Sequence, residues 1–420
     1  MGGIGIAITS FIQGIILAKT LGPAQYGAWG VVLAFCSTAQ AFLGFRTQEP
    51  LTRYLVEFKQ REDYFSLHLL ITTALLVDLF TGVLSFIVII AAAPWMAQNM
   101  TGSSKALLLY WIYGATALFN VLDATWYCIA RDQKYFKLLS IMPFIFSILQ
   151  LLEVIFFWQA KYLNLTSLSI IYLNVSIVKF LVVCVFLHRV MQTKYGISIQ
   201  RLGWKQCFSQ QKRLNGFWRF MRTTYLSSML SALVKNGDIL TIGYLRPGPE
   251  VGWYRLAKSL VSMIQSVGGS LASVIYQDLN ELIVEKNIEN IRKILIKLSK
   301  IWIPIVILGT ILCMLIIKPA TLIIYGDQYT GIIVPFRILI IGIGLTISFF
   351  WLSPIMLAMD LAVEQLKVGL FNTLWYIPFL IIMTKMFGLI GTSLAFSLSW
   401  AAGCINFIYV AKVLKKTHLS

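Results

Sequence analysis

Charge is scarce in this sequence, and acid is scarcest. Only 12% of the 420 residues are Asp, Glu, Lys or Arg, with 17 acids against 35 Lys and Arg. Soluble domains carry about a quarter charged residues, so a water-facing globular chain is excluded. No stretch between apolar runs is long enough for a separate soluble domain. The six cysteines, Cys36, Cys128, Cys184, Cys207, Cys313 and Cys404, form no CxxC. Five of them fall inside apolar segments, which excludes a disulfide framework. The three histidines, His68, His188 and His418, lie far apart. Neither a metal site nor a catalytic constellation is expected, and nothing calls for a cofactor.

What is abundant is apolar length. Hydrophobic residues make up 58% of the chain and the mean hydropathy is +0.78. A transmembrane helix needs about 20 mostly apolar residues, and runs of that length recur from end to end. Twelve spans are read, roughly at residues 4–21, 27–47, 67–93, 106–129, 138–158, 167–187, 223–245, 253–276, 301–317, 335–357, 368–385 and 389–411. The third is long enough to require tilt. The expected fold is an all-α membrane protein, with about twelve transmembrane helices in two six-helix pseudo-repeats around a central cavity. No secretory signal is evident.

The net charge of +18 is explained by position rather than by nucleic-acid binding. With the N-terminus placed in the cytoplasm, the inside connections hold twenty-four Lys and Arg, and the outside ones hold only Lys19, Lys105, Lys161, Arg246, Lys318 and Lys385. This positive-inside bias predicts a multi-pass protein with both termini cytoplasmic, its cations meeting anionic lipid heads.

Landmarks recur at nearly constant offset. Gly22-Pro23 with Gly27-Ala28-Trp29 is echoed by Gly248-Pro249 with Gly252-Trp253-Tyr254. Pro94 matches Pro319, and Ala130-Arg131-Asp132 matches Ala358-Met359-Asp360. The repeat predicts bundles at residues 1–195 and 223–420, joined by a basic cytoplasmic linker at 196–222. Even-numbered halves are parallel repeats, which commonly enclose a central site. The connection from Arg189 to Arg222 carries eight cations, no acid, and the aromatics Trp204, Phe217, Trp218 and Phe220. It reads either as a topology-setting linker on the anionic leaflet or as a docking surface for a partner.

An ionisable group at the bilayer centre costs roughly 3 kcal/mol on insertion scales and should face protein or water. Lys235 and Asp238 lie three apart on span seven, and Arg255 and Lys258 have the same spacing on span eight. Arg46, Glu49 and Arg53 flank the inner end of span two, with Pro50 expected to break the helix there. One reading is a cationic, water-filled cavity for an anionic, phosphate-bearing substrate, lined by Lys235, Arg255, Lys258, Arg46 and Arg53. In the other, Arg255 and Lys258 snorkel, Lys235 pairs with Asp238, and Arg46 and Arg53 obey the positive-inside rule. Asp78, Asp123, Glu153 and Lys179 are buried charges of the first half, suited to structural ion pairing or to proton or ion coupling, as is Asp238. Arg337 reads as an interfacial anchor.

Leu17-Ala18-Lys19-Thr20-Leu21-Gly22-Pro23 through Tyr26-Gly27 resembles the opening of the polysaccharide transporter family. These are the Wzx-type flippases of the multidrug/oligosaccharidyl-lipid/polysaccharide exporter superfamily. Asp238-Ile239-Leu240 through Gly243-Tyr244, then Gly248-Pro249 and Gly252-Trp253-Tyr254, is similar to that family's seventh-span region. Lys19 stands where an Arg is usual. Members carry a cytoplasmic lead-in where three residues precede the first span here, so a truncated or misassigned start is an expectation. The resemblance implies paired six-helix bundles that work by alternating access. It implies a monomeric transporter, not an enzyme, that moves undecaprenyl-pyrophosphate-linked oligosaccharide units from the inner to the outer face of the bacterial cell membrane, for O-antigen, capsule or exopolysaccharide. Membrane lipids and other polysaccharide-assembly proteins are its implied partners. A multidrug exporter of organic cations is the alternative, though a cavity with more cations than acids suits it poorly. A membrane-embedded polymerase or ligase is a third reading, and it lacks the sizeable outer loops or paired outer acids such enzymes use.

Overall fold

The computed structural model describes residues 2–45, 47–101, 106–195, 210–284, 288–359 and 361–410. Arg46, Trp204 and Cys207 of the linker region, and His418 lie outside the described residues. The described chain is helical, and it contains no β-strand among those residues.

Its first helix, α1 (Gly2–Leu43), has 42 residues, about 63 Å at 1.5 Å per residue. That is about twice the hydrocarbon thickness of a bilayer. Gly22 divides it, with φ +71° and ψ 170° immediately before Pro23. A positive φ is open to glycine without a side-chain penalty, and the following Pro reinforces the break. Two spans therefore share one helical run. The same device acts in α14 (Ala362–Ala402), where Gly388 has φ +54° and ψ −129°. Eight helical runs among the described residues are long and apolar enough to cross a membrane. Two of them are divided by these glycines. With α9 (Asn215–Leu245) and α10 (Pro249–Val284), whose charges make them more polar, the tally is twelve spans in two six-span halves.

Between these ends run α2 (Gln48–Gln60), α3 (Tyr64–Asn99), α4 (Ala106–Gly114), α5 (Thr116–Phe119), α6 (Asp123–Asp132), α7 (Phe136–Gln159) and α8 (Leu165–Lys194). The second half adds α11 (Ile288–Ile324), α12 (Ile333–Ser348) and α13 (Leu352–Ala358). Two spans expected to be continuous are interrupted. Span four is built from α4, α5 and α6, and it restarts at Asp123, whose negative charge suits a helix N-terminus. Span ten breaks between α12 and α13 at residues 349–351.

Pro50 does not break a helix. It sits in the first turn of α2, where its missing N–H costs no hydrogen bond; α1 has already ended at Leu43, before α2 begins at Gln48. This helix is amphipathic, burying Leu51, Leu55 and Phe58 along one stripe while Arg53, Lys59 and Gln60 stay exposed. Asp63 then caps α3, accepting the Ser66 N–H at 3.0 Å. Those Ser66 hydrogen bonds, with Arg213 and Arg61 nearby, hold its carboxyl below the usual carboxylate range.

The contacts divide the chain into two compact units. One comprises residues 1–21 and 31–236, the other residues 22–30 and 237–420. In the first, the apolar stripe of α2 packs with Leu67, Leu70 and Ile71 of α3, with Trp126 and Ile129 of α6, and with Leu187 and Met191 of α8. Leu214, Phe217 and Met221 join the same core, and Phe217 is completely buried. That aromatic of the basic connection is thus a packing residue. In the second unit Leu295, Trp351, Leu352, Ile355, Met356 and Val410 form a smaller cluster, and α12 packs against α10, α11 and α14. Large apolar side chains such as Phe156, Leu308 and Ile323 stand exposed, Ile323 at 81%. On apolar helices of this length, such surface is what acyl chains cover.

Candidate substrate-binding and coupling residues

In the second unit the chemistry centres on Asp238, whose side chain is 0% exposed. Its carboxylate accepts both its bonds to Lys258 Nζ, at 2.6 and 2.8 Å, and one from the Tyr254 hydroxyl at 2.5 Å. The backbone N–H of Ile239 adds a further bond at 2.8 Å. Such satisfaction is what makes a buried carboxylate tolerable. Tyr254 and Lys258 are four apart on α10 and so share one helical face. The ammonium also lies 4.6 Å from the centre of the Phe396 ring on α14, a cation–π contact. Lys258 is therefore turned inward and does not snorkel. Lys235, three residues before Asp238 on α9, is exposed.

Arg255 occupies a different seat in the same unit. Its Nη1 donates to the Tyr26 carbonyl at 2.7 Å, and its guanidinium lies 4.4 Å from the Tyr26 ring centre. Gly30 makes the seat possible, since a β-carbon there would collide with Cδ of Arg255. No carboxylate among the described residues forms an ion pair with this guanidinium. It is a half-buried cation on a membrane-spanning helix, held by a carbonyl and a ring.

Of the four charges expected to be buried in the first unit, only Asp78 is fully buried, and two of them, Asp123 and Lys179, pair with each other. Asp78 on α3 is 5% exposed and accepts from Thr47 Oγ1 and Thr125 Oγ1, each at 2.7 Å. Lys179 on α8 pairs with Asp123 on α6 at 2.8 Å. Glu153 on α7 accepts from Asn174 Nδ2 at 2.7 Å. Arg53 is exposed, with its guanidinium over the rings of Tyr54 and Phe220 at 5.8 and 5.4 Å. Arg46 lies outside the described residues. At one end of the same unit, Lys59 pairs with Asp132 at 2.9 Å, and Asp132 also accepts the Tyr195 hydroxyl at 2.5 Å.

The partners that satisfy these charges, Tyr254, Tyr26, Thr47, Thr125 and Asn174, escaped the sequence reading. Tyr26 and Tyr254 stood in the sequence only within the quoted motifs, and threonines and backbone carbonyls carry no pattern. Two cavities also lie within the first unit. One, of about 560 Å³, is lined by Asp78, Asn120, Asp123 and Tyr127. The other, of about 490 Å³, shares Asn120, Asp123 and Tyr127 and is also lined by Lys179.

The sequence profile of a family described as "polysaccharide biosynthesis protein" matches residues 1–276. The chain belongs to that family. Among solved structures, this polysaccharide biosynthesis family protein is similar to a multidrug resistance MATE family transporter of the MOP superfamily in its inward-facing conformation. The TM-score is 0.76 at 16% identity, covering 99% of this chain and 96% of that one. It is similar to the lipid II flippase MurJ in an inward closed conformation, with TM-score 0.75, 16% identity, and coverage of 98% and 86%. A third similar structure is a MOP superfamily transporter from Pyrococcus furiosus, described by the reverse polarity of its binding pocket. Its TM-score is 0.67 at 15% identity, with coverage of 99% and 94%. A search of curated proteins finds no match. The family protein thus has the helical membrane fold seen in these MOP-superfamily structures.

Proposed function

We propose that this protein is a flippase, not an enzyme. It translocates undecaprenyl-pyrophosphate-linked oligosaccharide units from the inner to the outer face of the bacterial cell membrane by alternating access, with both termini cytoplasmic. The product serves O-antigen, capsule or exopolysaccharide synthesis. The observation that carries the reading is Arg255, a guanidinium on a spanning helix with no acidic counter-ion among the described residues. A cation so placed favours an anion, and its fork suits the oxygens of a pyrophosphate. Lys235 on α9 and Arg53 on α2, both exposed, are proposed as further phosphate contacts. Lys258 and Asp238 neutralise one another and hold α9 and α10 together. An exporter of organic cations needs a surplus of acid instead; here Asp238 and Asp123 are each matched by a lysine, and Asp78 and Glu153 are held by neutral donors.

The test is reconstitution. Purified protein in liposomes, given a labelled undecaprenyl-pyrophosphate-linked glycan, should move label across the bilayer faster than empty vesicles do. Movement no faster than in empty vesicles, with protein confirmed as folded and inserted, overturns the proposal; accumulation of organic cations instead would favour the drug exporter.

A further inference from the structure

The smaller cavity of the first unit is not explained by a phosphate. It is lined by residues of α1 and α4 through α8, and its volume of about 490 Å³ falls within the roughly 300–1,000 Å³ range of small-molecule sites. Its charges cancel, because the Lys179 ammonium and the Asp123 carboxylate that line it lie 2.8 Å apart. A phosphate entering would meet a lysine already matched by an acid, and an organic cation would meet an acid already matched by a lysine. The wall that remains is of two kinds. Tyr113, Trp126, Tyr127 and Tyr172 supply rings, while Asn120 and Gln150 supply amides. Ser10, Ser147 and Ser176 add hydroxyls.

Asn120 sharpens the picture. Its Oδ1 is enclosed and accepts no hydrogen bond from the described protein. Buried polar atoms are rarely left so, and each exception calls for an explanation. It sits where span four is interrupted between α5 and α6. Non-helical backbone at membrane depth is tolerated where it lines a polar cavity or is buried in protein. An acceptor in need of a donor, amides, hydroxyls and several aromatic faces, with no net charge, match one ligand chemistry: a neutral ring bearing hydroxyl or acetamido groups, with apolar C–H faces.

We propose that this cavity is a saccharide subsite, in which pyranose rings of the transported unit stack on its aromatic side chains and hydrogen-bond the side-chain amides of Asn120 and Gln150. The inference rests on the flippase reading and adds to it the place where the neutral part of the substrate is recognised.

The experiment uses the full chain in lipid nanodiscs and two probes: undecaprenyl pyrophosphate, and the undecaprenyl-pyrophosphate-linked saccharides extracted from the source bacterium. Binding is measured for the protein and for Asn120→Ala, Gln150→Ala and the milder Asn120→Ser. The unaltered protein should bind the saccharide-bearing probe at least tenfold more tightly than the bare one. In the variants the ratio of the two affinities should fall toward one, with binding of the bare lipid reporting that each variant is folded. An unaltered protein that binds both probes equally overturns the subsite alone, as do variants that keep the full ratio. If the unaltered protein binds neither probe, the flippase reading falls and the subsite falls with it.

Discussion

Replacing Asp238 with Ala should lower the stability of the protein by about 3–5 kcal/mol, the range for breaking a buried ion pair by removing one partner. The reason is what the change leaves behind. Lys258 would keep its charge at a site where its side chain is only 13% exposed, and Tyr254 would lose its acceptor. Removing both charges with Asp238→Leu and Lys258→Met should recover most of the loss, because a well-packed apolar pair is often as stable as the ion pair it replaces. Thermal unfolding in detergent, compared across the single and double variants, reads this directly. An Asp238→Ala protein that melts with the unaltered one would show that the cluster of Asp238, Lys258 and Tyr254 contributes nothing to holding the second unit together.

The other large effect is expected in transport. Arg255→Ala should reduce the initial rate of lipid-linked glycan translocation by roughly ten- to a hundredfold, since a hydrogen bond to a charged group contributes about 1.5–3 kcal/mol and each 1.4 kcal/mol is about tenfold. Arg255→Lys should fall between the two. It keeps the charge but loses the planar fork, and the shorter point charge meets the Tyr26 carbonyl and ring differently. Rates are compared in liposomes at matched protein content, with unfolding temperatures taken alongside to separate a lost contact from a lost fold. Full-rate transport by the Ala variant would remove Arg255 from the substrate path.

Much of the architecture was legible in the sequence because a bilayer imposes so few solutions. Apolar runs of the right length mark the spans, Gly22-Pro23 marks a real break, and Gly248-Pro249 falls at the start of α10. The amphipathic helix α2 is hard to see in the sequence because the cations around Arg53 mark an inside connection and mask the Leu51, Leu55 and Phe58 stripe that the helix buries. The interruption of span four was equally hidden, since Asn120 and Asp123 sit in a run whose overall apolarity suggested one continuous helix. The candidate charges were found, but not their partners. Lys235 is nearer to Asp238 in sequence, yet the carboxylate bonds to Lys258, twenty residues on and on the next helix. Which residues meet across two helices depends on the rotation and depth of each, and the periodicity of one helix fixes neither. Asp78 illustrates the same limit, satisfied by two threonines that no spacing rule connects to it.

The seat of Arg255 carries an evolutionary consequence. Because the side chain occupies the space that a methyl at position 30 would claim, glycine and arginine there form a matched couple. A lineage that enlarged the first would first have to shorten or redirect the second. Natural variation at the two positions should therefore be correlated, and a homologue that carries a larger residue at the first should carry a shorter or redirected one at the second.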